Sequence, residues 1–359
     1  MNKFSVRYNY SSLNKAFAKK VLYKTLAICT LSILSLHQSV SADPNNSSKD
    51  ISIDTSAITL SGLSAGGFMA NQYHLSHPDQ VTGVGIIAAG PFGCARNSIM
   101  TALSECVNKA PDKYPLSISN ISDQFKNESK TLKDDKVWLL HGTLDTRIVA
   151  KVADALHHQY SQIIQAENLK YINDKPFSHL FPTLNTGVKC DTSESPFIGN
   201  CGYDAAGELL TYIIGSLNPK ANTEEMNKLG QLLKFEQEKL TDLSGTGMHK
   251  YAYAFVPTSC SESSANKACR LHISFHGCNQ SIDNVNDQYA RNTGINEWAA
   301  TNGIVVLYPQ VAKSTLMPMN PQACWDWWGY SDENYGNKNG KQITAVHEII
   351  LGLADYLNN

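Results

Sequence analysis

The sequence predicts an α/β fold, with a mostly parallel central sheet flanked by helices. Three observations carry this. Through the first half of the chain, apolar strand-type runs alternate with stretches of helical periodicity, as in parallel strands joined by crossover helices. The run Val81-Thr-Gly-Val-Gly-Ile-Ile-Ala-Ala89 is apolar without alternation, as in a strand covered on both faces. The stretch Thr59-Leu-Ser-Gly-Leu-Ser-Ala-Gly-Gly-Phe-Met69 crowds three glycines and an alanine around one serine, between a strand's end and a helix's beginning.

Taken in order, Lys19, Lys20 and Lys24 precede the apolar run Leu26–Leu36, and Ser39-Val-Ser-Ala42 follows with small residues at its −3 and −1 positions. This is the pattern of a secretory signal peptide over 1–42, cleaved after Ala42. The run is too short to span a bilayer comfortably, so no membrane association is expected after cleavage. Residues 43–359 are read as a single domain with a polar, loose start over 43–50. Ile58–Leu60 ends a first strand, 65–76 is helical, and Val81–Ala89 is the second strand. Lys136–Leu140 is the third, and 150–166 is helical. Residues 183–250 hold two helical patterns, about 204–215 and 223–240, and are expected to form a cap or insertion. Strands return at Tyr251–Val256, Leu271–Phe275 and Ile304–Tyr308. A helix at 286–302 lies between the last two, and an amphipathic helix at 343–357 closes the chain.

With 42% hydrophobic residues, 17% charged and a net charge of −2, the chain has the composition of an ordinary globular protein. It shows no basic stripe, which excludes nucleic acid as an expected partner. Beyond Cys29 in the signal segment, the cysteines are Cys94, Cys106, Cys190, Cys201, Cys260, Cys269, Cys278 and Cys324. An even number in an exported chain points to disulfides. Connectivity does not follow from sequence alone, but the spacing suggests 94–106, 190–201 and 260–269, leaving Cys278 with Cys324. No Cys-x-x-Cys pair occurs, which argues against zinc. No metal and no organic cofactor is expected, and the protein is expected to be a monomer.

The glycines around Ser64 have a chemical explanation. Gly62-Leu-Ser64-Ala-Gly66 fits a nucleophile elbow, in which a serine stands out on a sharp strand-to-helix turn. Flanking side chains would clash in that turn, and the following helix points its N–H groups at the site. A serine hydroxyl needs a base, and the base an orienting carboxylate. Asp145 follows the strand in Trp138-Leu-Leu-His-Gly-Thr-Leu-Asp145, the position for the orienting acid; its rival role is a helix cap. Among the histidines, His179 lies in a loop after Asp145 and is favoured as base. His276 is the main rival, but Phe275-His-Gly-Cys278-Asn-Gln280 has the His-Gly character of oxyanion-hole loops. The hole would use the amide of Ala65 and that of a residue near Cys278. This loop ordinarily precedes the nucleophile; here it follows by more than two hundred residues, which a circular permutation explains.

The blocks "GLSAGG", "HGTLDTRIV", "SHLFPT", "CGYDAAGELLTYIIG", "FHGCNQ" and "NPQACWDWWGY" together resemble the extracellular poly(3-hydroxybutyrate) depolymerases, in the branch with a circularly permuted α/β-hydrolase domain and its lipase box near the N-terminus. The resemblance covers residues 52–357. "HGCNQ" and "CWDWW" are also similar to blocks of secreted polyester, feruloyl and acetylxylan esterases. The resemblance implies Ser64 as nucleophile, His179 as base, Asp145 as orienter and the Ala65 and Cys278 amides as the hole. It also implies a cleft whose aromatic residues, here Trp325, Trp327 and Trp328, grip a polyester or short-chain ester. Many members add a polymer-binding domain; with none after residue 357, polymer contact would fall to the catalytic domain. The alternatives are a feruloyl or acetylxylan-type esterase, and a polymer-binding protein that keeps the fold without catalysis.

Overall fold

The computed structural model describes residues 51–109, 132–261 and 268–359. The expected signal peptide and the loose start over 43–50 lie outside them. Among the described residues no helix is long and apolar enough to cross a membrane.

The elements run β1 (Ile53–Leu63), α1 (Ala65–Ser76), β2 (Val81–Ile87), α2 (Ile99–Glu105), β3 (Lys136–Gly142), α3 (Ala150–Ser161) and β4 (Leu169–Lys175). Three short strands follow, β5 (Phe181–Thr183), β6 (Val188–Lys189) and β7 (Ile198–Asn200). Then come α4 (Ala205–Ile214), α5 (Thr223–Leu229), β8 (Gly230–Glu236), β9 (Tyr251–Pro257), α6 (Thr258–Ser261) and β10 (Cys269–Phe275). The chain closes with α7 (Ile282–Val285), α8 (Gln288–Asn292), α9 (Ile295–Asn302), β11 (Ile304–Tyr308) and α10 (Lys341–Asn358).

The main sheet has the order β4-β3-β2-β1-β10-β11-β9-β8. The strands from β4 to β11 are parallel, while β9 and β8 pair antiparallel at the far edge. Helices cover both faces. Side chains of α1, α3 and α10 build the core on one side, and those of α4 and α9 build it on the other. This double cover is why the central strands read as continuous apolar runs. Helix α1 is buried along its whole length, so it carries no polar stripe. Its polar side chains have internal partners instead: His74 bonds the Tyr160 hydroxyl at 3.1 Å and the Asp135 carboxylate at 3.2 Å.

Two helical expectations change. The pattern at 223–240 is a short helix, started by an Asn222–Glu225 capping box, followed by strand β8. Residues 230–236 pair one for one with 251–257, and this edge pairing overrides a weak helical propensity. The helix expected over 286–302 is broken into α8 and α9, with Asn286 at φ 55° and Gly294 at φ 84°. The stretch 183–250 supplies α4, packed against β2 and β3, and the edge strand β8. It also holds two strands of a small three-stranded sheet, β5-β7-β6.

Four disulfides join Cys94–Cys106, Cys190–Cys201, Cys260–Cys269 and Cys278–Cys324.

Candidate active site

Strand β1 is central, paired with β2 on one side and β10 on the other, so that Gly62 lies opposite both Ile86 and Phe275. The carboxyl ends of three strands therefore converge where β1 gives way to α1. Ser64 occupies that junction at φ 56°, ψ −122°, a strained conformation for a residue with a side chain. Its own amide is tied to the Ile87 carbonyl at 2.9 Å. The flanking glycines are a steric necessity. A Cβ on Gly62 would lie 2.1 Å from the Gly66 carbonyl oxygen, and one on Gly66 would lie 2.1 Å from that of Phe275. Both obstacles are backbone and neither can swing away.

The loop after β3 brings Asp145 to the same end of the sheet. One carboxylate oxygen accepts the amides of Arg147 (2.8 Å) and Ile148 (3.0 Å), while the other meets His179 Nδ1 at 2.8 Å. Asp145 does not cap the helix that follows, whose N-cap is Val149 with no side-chain hydrogen bond; one oxygen braces the loop before the helix and the other orients His179. Burial pushes its carboxyl pKa up. The hydrogen bond and charge of His179, with the Ile148 amide, outweigh burial and hold it below the usual carboxylate range.

His179 sits in the loop between β4 and β5. The loop is pinned by Ser178 N–H to the Cys190 carbonyl (2.9 Å) and by the Ser193 hydroxyl, which donates to the His179 carbonyl (3.2 Å). The Cys190–Cys201 disulfide closes this region. His276, the rival base, is buried in the core. Its Nδ1 bonds the Gly277 carbonyl at 2.8 Å and its Nε2 accepts the Val311 amide. Burial lowers its pKa to about 4, so it is a neutral structural imidazole. His141 lies behind the pair, its pKa also lowered by burial.

Ser64, His179 and Cys278 line one cavity of about 340 Å³, with Phe68, Phe197 and Trp327 among its walls. Among the described residues, neither the Ala65 nor the Cys278 amide has a hydrogen-bond partner. Ser64 Oγ likewise makes no hydrogen bond, so the link to the imidazole is open in this state; such bonds commonly tighten only with substrate in place. A wider groove of about 680 Å³, along Lys136, Lys170, Tyr212 and Trp298, holds no nucleophile and base together. No cluster of three or more His, Cys, Asp or Glu side chains is placed to hold a metal ion among the described residues.

The tryptophans divide. Trp327 lines the cavity and stacks on Phe68 with centroids 4.4 Å apart. Trp325, expected to grip substrate, is fully buried against Phe275 and His276; it is a core side chain and offers no surface. Trp328 stands edge-on behind Trp327, against Tyr330, and does not line the cavity. Trp325 packs toward β10, on Phe275, and Trp327 toward α1, on Phe68, and these different neighbours separate the core side chain from the cavity wall.

Gln280 is a residue that sequence reasoning missed. Its Oε1 accepts the Gly277 amide, and its Nε2 donates to the carbonyls of Pro196 and Phe197. It therefore locks the loop carrying Cys278 to the loop carrying Phe197. The Cys278–Cys324 disulfide and the Asn279 amide, bonded to the Gln322 carbonyl at 2.7 Å, fix the other side. The proximity of Gln280 to the His-Gly turn was the only available signal.

Comparisons with known proteins identify relatives of the chain. The family model "Esterase PHB depolymerase" matches residues 251–353. The chain is 36% identical over 306 residues to a poly(3-hydroxybutyrate) depolymerase of Delftia acidovorans, covering 84% of this chain but 60% of that protein. It is 33% identical over 309 residues to a polyhydroxybutyrate depolymerase of Talaromyces funiculosus, covering 82% and 88%. Among solved structures, the PHB depolymerase from Penicillium funiculosum superposes with a TM-score of 0.72 at 31% identity, covering 83% of this chain and 96% of that one. A serine-to-alanine PHB depolymerase in complex with an R3HB trimer gives 0.73 at 31% identity, covering 84% and 96%. A chain that shares a third of its residues with a relative across nearly that relative's whole length, and superposes on solved members, belongs to the polyhydroxybutyrate depolymerase family.

Proposed function

We propose that this protein is a secreted serine esterase that hydrolyses the ester bonds of poly(3-hydroxybutyrate) and its oligomers through an acyl-enzyme. One observation carries the reading. A serine at a strained apex shares a cavity with an imidazole already oriented by a carboxylate, and beside it lie two backbone amides without a partner among the described residues.

The chemistry follows from that arrangement. Ser64 Oγ attacks the ester carbonyl as His179 takes the hydroxyl proton. Asp145 keeps the imidazole with Nδ1–H toward itself, so Nε2 is the basic atom. The amides of Ala65 and Cys278 stabilise the oxyanion. Collapse breaks the ester C–O bond, and His179 returns the proton to the leaving alkoxide, which departs as a hydroxy acid or a shorter oligomer. Water repeats the sequence on the acyl-Ser64 ester and releases the second acid.

The names of the relatives and the trimer complex support the polyester substrate. Trp327 and Phe68 offer an apolar wall suited to it. Four disulfides favour an oxidising compartment. The strand order supports a circular permutation: the nucleophile strand is first in the chain yet central in the sheet, and the strands carrying the hole loop follow it.

The test is the clearing of amorphous polyhydroxybutyrate granules, with released acids quantified. Wild type is expected to clear the suspension and release 3-hydroxybutyrate or short oligomers. Ser64→Ala, folded by circular dichroism, is expected to release none above background. Hydrolysis by Ser64→Ala at the wild-type rate would sink the assignment.

A further inference from the structure

Among the described residues, the walls of the cavity are apolar or neutral with one exception. Among the described lining residues Arg147 is the only Lys or Arg, and none is Asp or Glu. The guanidinium is held rather than free. Its Nε donates to the Ser193 hydroxyl oxygen at 2.8 Å, an Nη donates to the Ser193 carbonyl at 3.5 Å, and its carbon lies 5.6 Å from the centre of the Phe197 ring. Its backbone amide is bound to Asp145, and Ser193 in turn donates to the His179 carbonyl. Arg147 therefore belongs to the same frame as the base. Among the described residues it forms no ion pair with a carboxylate, and guanidinium donors remain for a ligand. A fixed cation at an otherwise uncharged cleft invites an anion.

The reaction supplies one. Every cut of a polyester of 3-hydroxy acids creates a new carboxylate end. In serine ester hydrolysis the base hands its proton to the leaving alkoxide, so the leaving hydroxy acid lies on the imidazole's side of the cleft, the side on which Arg147 is mounted. In a departing 3-hydroxy acid the carboxylate is only two carbons from the carbon bearing that oxygen. We propose that Arg147 is a specificity residue that binds the terminal carboxylate of soluble hydroxy-acid oligomers on the leaving-group side and directs cleavage to the last ester before that end. This deepens the reading of the site as a polyester hydrolase and rests on it.

The experiment compares the (R)-3-hydroxybutyrate trimer as free acid with its methyl ester, which keeps shape and removes the charge. For wild type, kcat/KM is expected to favour the free acid, with monomer as the first product. In Arg147→Gln the acid-to-ester ratio is expected to fall about tenfold to a hundredfold, the range for a hydrogen bond to a charged group, mainly through KM of the acid. Arg147→Lys should recover part of the ratio, since it restores charge without the planar fork. An equal loss on both substrates, or an unchanged ratio, overturns the assignment of Arg147. If wild type cleaved neither trimer, the polyester-hydrolase reading itself would fail, and the carboxylate assignment with it.

Discussion

Replacing Asp145 by Asn tests the proposed catalytic set most sharply, because the side chain has two separable jobs. One oxygen holds the Arg147 and Ile148 amides and the other holds His179 Nδ1 at 2.8 Å. An asparagine carbonyl can keep the two amides, which leaves its NH₂ facing the imidazole. Two donors cannot share that contact, so Nδ1 must become the acceptor and the ring proton moves to Nε2. The atom that should receive the Ser64 proton is then already protonated. The fold should survive, with a loss of about 1.5–3 kcal/mol for one charge-assisted hydrogen bond. Catalysis should suffer far more. A tautomer reversal of this kind costs about 10⁴ in kcat in serine hydrolases, or about 5 kcal/mol of barrier. The assay is steady-state hydrolysis of a short-chain nitrophenyl ester, with urea unfolding of the same sample. An Asp145→Asn protein that unfolds like wild type and keeps activity within tenfold of it would refute the reasoning.

Two further predictions concern the surroundings. His272, bonded to the Thr59 and Ser61 hydroxyls, and His276 are buried, with pKa values lowered by burial to about 3 and about 4. Their unfolded value is about 6.5. Below that value the unfolded chain binds protons that the native state refuses, so stability is full above about pH 6.5 and falls as pH drops toward 4, by up to ~1.4 kcal/mol per pH unit for each imidazole. Urea midpoints at pH 7.5 and pH 5 should differ accordingly, and equal midpoints would contradict the burial of neutral rings. The tryptophans should separate by phenotype. Trp325→Ala is expected to cost about 3–5 kcal/mol in stability as a core truncation. Trp327→Ala, which removes a cavity wall and the Phe68 stack, is expected to raise KM for an oligomeric ester several-fold, from a contact worth about 0.5–1.5 kcal/mol beyond its buried area. A KM effect from Trp325→Ala larger than that from Trp327→Ala would reverse the assignment of wall and core.

Much of this was legible in order along the chain. Strands at 81–87, 136–142 and 304–308 show as apolar runs because both sheet faces are covered, and α10 shows by its periodicity. The serine turn shows because backbone crowding within five residues forces Gly62 and Gly66. The failures lay where the decision was made far away. Residues 230–236 carry a mixed pattern, and only their partner 251–257 makes them a strand. Trp325, Trp327 and Trp328 are alike in sequence, and only the packing of Phe275 on one side and Phe68 on the other separates core from wall.

The strand-turn-helix around Ser64 and the local propensities are written in the chain itself, since both depend on sterics between near neighbours. Which imidazole meets Asp145, which amides stay unpaired beside Ser64 among the described residues, and which cation reaches the cleft are settled by packing alone. Those depend on strands β1, β3 and β10 ending together, and hydrogen bonds between groups tens to hundreds of residues apart leave no periodic trace along the chain.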